Sequence, residues 1–293
     1  MPPSVVLWCP AYPLPQARQE QALTAARSLV SALGGKLTIS PDFTAWLGDG
    51  AWAPAASRQA AFRQALSADV LLAGRGGYGC LDLLEEVVAH SGPLPGLIGY
   101  SDLTVLHAAW AVRDGPETLY GFMPGVPHGP RAMTSTISLY QGAGQRWDGV
   151  LLPEVRVVRP GVAQGRLFAG CLRVLAGLVG TTWMPSLRGR LLEIEDIDER
   201  PYRIDRDLQQ LHLAGCLDGV VGLMTNAFPA VTPNGYQGPS SIEIIRGWAE
   251  RLGIPALTDL PFGHHADPLT LPCGRMATLS ADTTGWALEI AAR

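Results

Sequence analysis

Two hydrophobic periods alternate along the first 125 residues and divide them into strands and helices. The apolar run VVLWC (5–9) predicts a buried strand. From Gln16 to Leu33, the residues Leu23, Ala26, Leu29, Val30 and Leu33 recur at helical spacing and share one face. Gly34-Gly35 then stops the helix, as glycine does at a helix C-terminus. KLTIS (36–40) and VLLAG (70–74) read as strands, and SRQAAFRQALSA (57–68) as a helix capped by Ser57. LDLLEEVVAH (81–90) reads as a further helix and LPGLIGY (94–100) as a further strand. This rhythm predicts a parallel sheet covered by helices.

The last of these strands ends at a corner. Leu97-Ile98-Gly99-Tyr100 is apolar, whereas Leu103, Leu106 and Trp110 fall at helical spacing, and Ser101 lies between the two patterns. A serine there is either an N-cap, accepting from a backbone N–H in the first turn, or a nucleophile on a strand-to-helix elbow. The G-x-S-x-G form is absent, so the rest of the chain has to decide.

Residues 126–165 break the rhythm. They are rich in proline and glycine and no long helix fits, so the stretch reads as a crossing between two lobes. RLFAGCLRVLAGLVG (166–180) then reads as a helix, RLLEIED (190–196) as a strand, and PYRIDRDLQQLHLAG (201–215) as a helix begun by Pro201. VVGLMT (220–225), the helix SSIEIIRGWAERLG (240–253) and IPALTD (254–259) complete a second α/β pattern.

Composition narrows the class. With 293 residues, 47% hydrophobic and 16% charged, the chain is globular and long enough for one large or two medium domains. Its net charge of -4, single lysine (Lys36) and scattered arginines disfavour a nucleic-acid or polybasic membrane surface. The N-terminus lacks a positively charged leader, and no segment approaches the roughly 20 apolar residues that span a bilayer. Five widely spaced cysteines without a C-x-x-C pair suit a reducing compartment. A cytoplasmic protein is expected.

Candidate chemistry begins at GRGGYG (74–79), which matches G-x-G-x-x-G between a strand and a helix, with Asp102 downstream as a ribose ligand. It is a dinucleotide site, a tight glycine turn, or a source of amide N–H groups beside Ser101. A serine nucleophile needs an imidazole. His107 follows Ser101 on the same helix and points away, while His90 and His212 lie near helix C-termini, where charge suits the dipole. His128 lies on the crossing segment. His264 and His265, in LPFGHHADPLTLPCG (260–274), sit in a loop, where a partner must orient them. A metal site of His264, His265 and Asp267 is disfavoured, because adjacent histidines rarely converge on one ion. An orienting carboxylate comes from LLEIEDIDER (191–200), where Glu193 and Glu195 share one strand face. Asp196, Asp198 and Glu199 stay open beside them, with Asp198 or Glu199 expected to cap the next helix.

Taken together, RGGYG (75–79), GYSDLT (99–104), EIEDIDERPYRIDRDLQQL (193–211) and PFGHHADPLTLPCG (261–274), with the Arg-Ala-Phe helix at 58–66, resemble the LD-carboxypeptidase family. These are serine peptidases that trim murein tetrapeptides, with microcin-immunity hydrolases as relatives. The resemblance covers nearly the whole chain. It implies an α/β fold: an N-terminal lobe like class I glutamine amidotransferases, a parallel sheet with flanking helices, and a smaller C-terminal lobe with a β-barrel-like core. The implied division is 1–130, carrying the nucleophile, a crossing at 131–165, and 166–293, carrying the glutamate and histidine. Position by position, it makes Ser101 the nucleophile, Glu195 the orienting carboxylate and His264 the base. The Asp102 N–H and one from Gly76 or Gly77 become oxyanion donors, and Arg75 a cation for a substrate carboxylate. It further implies a cytoplasmic homodimer acting on a muropeptide, without metal or organic cofactor. Where the family commonly has GGNL, this chain has Ala169-Gly170-Cys171-Leu172, so a polar contact at the asparagine position is replaced by a thiol. A microcin-immunity activity on aminoacyl adenylate analogues and a dinucleotide-dependent oxidoreductase are the competing readings.

Overall fold

The computed structural model describes residues 1–44, 53–229 and 235–293. The first 120 residues follow the alternation of the sequence: β1 (Ser4–Trp8), β2 (Lys36–Ile39), β3 (Val70–Ala73), β4 (Gly96–Gly99) and β5 (Thr118–Tyr120) are joined by helices. The helix Gln16–Ala32 buries Ala22, Ala26, Leu29 and Val30. The helix Ala55–Ala65 begins two residues earlier than expected, behind Pro54 and without a side-chain cap, so Ser57 caps nothing. β3 is buried on both faces, as a central parallel strand between helix layers must be.

Residues 126–165 are more ordered than their composition suggests. They contain a helix (Pro130–Tyr140), β6 (Gln145–Asp148) and β7 (Arg156–Arg159), and the start of β8 (Gly161–Cys171). Pro130 opens the helix and Ala132, Ser135, Thr136 and Leu139 form its buried stripe. Two of those four are hydroxyl residues, bonded back to Arg131 O and Ala132 O, which hides the stripe from a hydrophobicity reading. A second correction falls on 166–180. The expected long helix is instead the end of β8 followed by a short helix, Leu172–Ala176. Leu167, Phe168 and Ala169 are buried in succession, because a strand with both faces covered loses its period of two.

The second sheet continues through β9 (Arg190–Glu195), β10 (Gly222–Thr225) and β11 (Ala256–Thr258). The chain closes with β12 (Leu271–Cys273), β13 (Met276–Ala281) and β14 (Trp286–Ile290), none of which the periodicity predicted. The helix Pro201–Leu213 starts on Pro201 as expected, but Arg200 takes the cap position and neither Asp198 nor Glu199 caps it. The helix Ser241–Leu252 has a complete capping box between Ser240 and Glu243.

Two sheets result. The first has the order β12-β5-β4-β3-β1-β2, parallel except for β12, which pairs antiparallel with β5. The second has the order β6-β14-β13-β8-β9-β10-β11-β7, with β8 to β11 parallel and the remaining strands antiparallel. Loops from the carboxyl ends of parallel strands in both sheets carry the candidate residues, the usual place for a site in open α/β sheets.

Candidate active site

Ser101 follows β4 at the first turn of a short 3-10 segment (Ser101–Leu103) that runs into the helix Thr104–Val112. Tyr100, not Ser101, takes the cap position of this segment. The φ of Ser101 is 68°, a left-handed conformation unusual for a residue with a Cβ. Such a conformation persists only where its surroundings over-determine it. Here the Ser101 N–H donates to the Tyr120 hydroxyl at 3.1 Å, and the Ser101 carbonyl accepts from Thr104 Oγ1 at 2.7 Å. Thr104 Oγ1 in turn accepts from the Cys171 N–H at 2.9 Å, which joins the elbow to the end of β8.

The glycine loop after β3 packs onto this elbow. A Cβ built on Gly76 would lie 2.9 Å from Ser101 Cβ and 3.1 Å from its Oγ, so only glycine lets the loop backbone approach the hydroxyl this closely. Asp102 fixes the loop, its carboxylate accepting from the Cys80 N–H at 2.8 Å. Burial raises the Asp102 pKa, and the amides of Cys80 and Gly79 pull it partly back. The residue that a dinucleotide site would use for a ribose thus holds the glycine loop itself. Gly77 lies against the Tyr12 ring. Arg75 is half-buried, with its guanidinium 5.6 Å from the centre of that ring and 3.4 Å from the Pro13 carbonyl. It has no ion pair with a carboxylate among the described residues.

Glu195 is the last residue of β9 and fully buried. Its Oε2 accepts from His264 Nδ1 at 2.8 Å and from the His264 N–H at 3.3 Å. Because a carboxylate only accepts, this bond puts the ring proton on Nδ1 and leaves Nε2 with its lone pair. Gly263, at φ 63°, lets the chain pass directly over Glu195, since a Cβ there would strike the carboxyl carbon. Burial alone would depress the His264 pKa. The hydrogen bond and charge of Glu195, with Asp196 and Asp198 behind it, outweigh burial and raise it. The other Glu195 oxygen, Oε1, accepts from the Tyr120 hydroxyl at 2.7 Å. The Tyr100 ring stands edge-on to the His264 ring at 5.2 Å between centroids. No hydrogen bond joins Ser101 Oγ to His264 among the described residues. The two are related through Tyr120 and Glu195.

The remaining candidates have other partners. His265 Nδ1 accepts from the Asp267 N–H at 3.1 Å, and Asp267 binds the Arg131 N–H at 2.8 Å, so the imagined ligand trio does not converge. His107 is buried between Thr118 Oγ1 (2.6 Å) and the Gly99 carbonyl (2.9 Å), and burial pushes its pKa down to about 4. His128 reaches the site's edge, 5.7 Å from the Tyr100 ring centroid, with both ring nitrogens buried and unbonded among the described residues. Glu193 is wholly buried and without a hydrogen-bond partner among the described residues, whereas Asp196 accepts from the Arg173 N–H at 2.8 Å. Cys171, paired with Glu195 across β8 and β9, is buried next to both Glu195 and Asp196. Sequence reasoning missed Tyr120 and Thr104. A lone tyrosine after ETL carries no motif, and Thr104 entered only as the last residue of GYSDLT, with no role attached.

Comparison with known proteins adds a pattern over the whole chain. A family model described as the LD-carboxypeptidase N-terminal domain matches residues 5–121, and its C-terminal counterpart matches residues 164–279. A Streptomyces coelicolor protein with a provisional carboxypeptidase name is 38% identical over 235 residues, spanning 75% of this chain and 72% of its own. The murein tetrapeptide carboxypeptidase of Pseudomonas aeruginosa is 28% identical over 227 residues, 72% of each chain. The crystal structure of a muramoyltetrapeptide carboxypeptidase from Oxalobacter formigenes superposes with a TM-score of 0.83 at 25% identity, over 98% of both chains.

Proposed function

The chain belongs to the LD-carboxypeptidase family, and from that membership we propose a serine carboxypeptidase that releases a C-terminal D-alanine from a murein tetrapeptide. The observation that carries the reading is one hydrogen-bonded chain, Ser101 N–H to Tyr120 to Glu195 to His264, at the carboxyl ends of parallel strands in the two sheets. In the proposed reaction Ser101 Oγ attacks the amide carbonyl while His264 Nε2 takes its proton. Glu195 holds the imidazole and stabilises its charged form. The tetrahedral oxygen is bound by the Asp102 N–H and by an N–H of Gly76 or Gly77. Loss of one such donor typically costs about 3 kcal/mol of transition-state stabilisation. The imidazolium then protonates the leaving amine, and water attacks the acyl-serine with His264 again as base. Arg75 receives a carboxylate of the substrate. No metal or organic cofactor takes part. The reading extends to a cytoplasmic homodimer. Five free cysteines support the compartment, and the family resemblance alone supports the dimer.

Stereochemistry tests the assignment. The scissile bond has an L-centre on the acyl side and a D-residue as leaving group. A pocket shaped for a D-residue puts the methyl or the carboxylate of an L-residue against the wrong wall. Misplacing reacting atoms by about 1 Å costs on the order of 10²-fold in rate. The expected result is a kcat/KM at least about a hundredfold higher for the tetrapeptide ending in D-alanine than for its L-alanine counterpart. Equal rates reject the LD-carboxypeptidase reading. Slow turnover of both, with fast cleavage of an aminoacyl adenylate analogue, moves the protein to the microcin-immunity branch.

A further inference from the structure

Tyr120 ends β5 and is fully buried, yet its hydroxyl touches both halves of the site. It lies 3.1 Å from the Ser101 amide nitrogen and 2.7 Å from Glu195 Oε1. The direction of both bonds is fixed by chemistry. A backbone N–H only donates and a carboxylate only accepts, so the phenol accepts from Ser101 and gives its single proton to Glu195. We infer that Tyr120 is a positioning residue that sets the nucleophile's backbone and the orienting carboxylate in register across the junction of the two sheets. The inference rests on the serine hydrolase reading above.

Three consequences follow from the geometry. The Ser101 N–H is consumed by Tyr120, so the oxyanion must be met by amides further along, at Asp102 and in the glycine loop. The left-handed Ser101 gains a fixed partner, which a strained elbow needs. Glu195, with Oε1 held by Tyr120 and Oε2 by His264, cannot rotate, and its charge is shared between a phenol and an imidazole. Burial, then the Glu195 charge, keeps the phenol protonated at any pH of interest. The other ionisable groups around this pair are Asp196 and Asp198 beyond β9, Cys171 on β8, Tyr100 beside Ser101, and His128.

Removing the phenol hydroxyl concentrates the Glu195 charge on the imidazole side, which favours imidazolium. In Tyr120→Phe the His264 titration midpoint, followed by NMR of its ring signals and assigned with His264→Asn, is expected to move upward. The shift should correspond to about a threefold or larger gain in proton affinity, within the range of a charge-assisted hydrogen bond. Once active sites are counted with a serine-directed phosphonate, kcat on the D-alanine tetrapeptide should fall roughly 10- to 100-fold with KM little changed. Site-specific trifluorotyrosine at position 120, a stronger donor of the same shape, should move the midpoint downward, which keeps the test open if Tyr120→Phe misfolds. An unchanged His264 midpoint in both variants overturns the inference and leaves Tyr120 a structural hydroxyl. Shifted midpoints in a protein that never hydrolyses the tetrapeptide sustain the coupling and count against the proposed substrate instead.

Discussion

At the scale of single residues, the site depends on two exceptions to backbone and burial rules: a serine at φ 68° and a fully buried carboxylate. Tyr120 holds both, and sequence reasoning gave it no role, whereas the other partner of Glu195, His264, was expected. If Ser101 and His264 act as one unit, Ser101→Ala and His264→Ala should each lower kcat by roughly 10⁴ or more, and the double variant little further. Full additivity in kcat of the purified variants overturns the triad. The sign of the pH dependence follows from His264. Only the neutral imidazole accepts the serine proton, and its pKa is raised above the ordinary 6.5 because the Glu195 interactions outweigh burial. The profile of kcat/KM should therefore rise with pH through a midpoint above 6.5, and Glu195→Gln should lower both that midpoint and the rate. Ser101, Glu195 and His264 were legible in the sequence only as members of ordered motifs, since strand alternation left five carboxylates open. Tyr120 was illegible because its partners lie far off in sequence, on two different elements.

At the scale of elements, clean periods were read well and disguised ones were not. β1 to β4 and their helices follow the alternation, whereas residues 166–171 of β8 carry a pattern that reads as helix and Pro130–Tyr140 one that reads as loop. The short strand β5 offered three residues, too few to show a period. β9 was placed correctly, and its face rule holds: Glu193 and Glu195 share a side. The two glutamates nevertheless differ sharply. Glu195 has three hydrogen bonds, while Glu193 has none among the described residues and burial drives its pKa well upward. An acid whose folded pKa lies above its unfolded value binds more protons when folded. Its effect on stability is therefore increasingly unfavourable as pH rises above about 4.5 toward the folded pKa. Glu193→Met, close in volume and without a polar group to desolvate, should raise Tm, and the gain should be larger at pH 8 than at pH 5. A lower Tm at both values would mean that Glu193 has a partner in solution.

At the scale of the whole molecule, the two lobes predicted from the sequence are cross-woven. β12, from the last quarter of the chain, is an edge strand of the first sheet, and β6 and β7, from the predicted crossing, belong to the second. Arg275 reinforces the weave. Its nearly buried guanidinium binds both oxygens of Glu117 at 2.6 and 2.5 Å, together with the carbonyls of Leu139 and Ala143. Sequence periodicity could not reveal this, because a three-residue strand and a long-range ion pair leave no local signal. The consequence is thermodynamic. A lobe that borrows a strand and a buried ion-pair partner from the far end of the chain cannot unfold alone without exposing the edge of β5 and an unpaired Glu117. Urea unfolding should therefore be one transition, with coincident midpoints for probes in either half. Of the eight tryptophans four lie at or before residue 110 and four after residue 146, so replacing either set of four by Phe leaves the fluorescence of the other half alone. A fragment ending at residue 130 should lack dispersed amide NMR resonances, because it has β5 without β12. Two separated transitions, or a folded fragment 1–130, would show instead that the N-terminal lobe is an independent unit to which β12 is only appended.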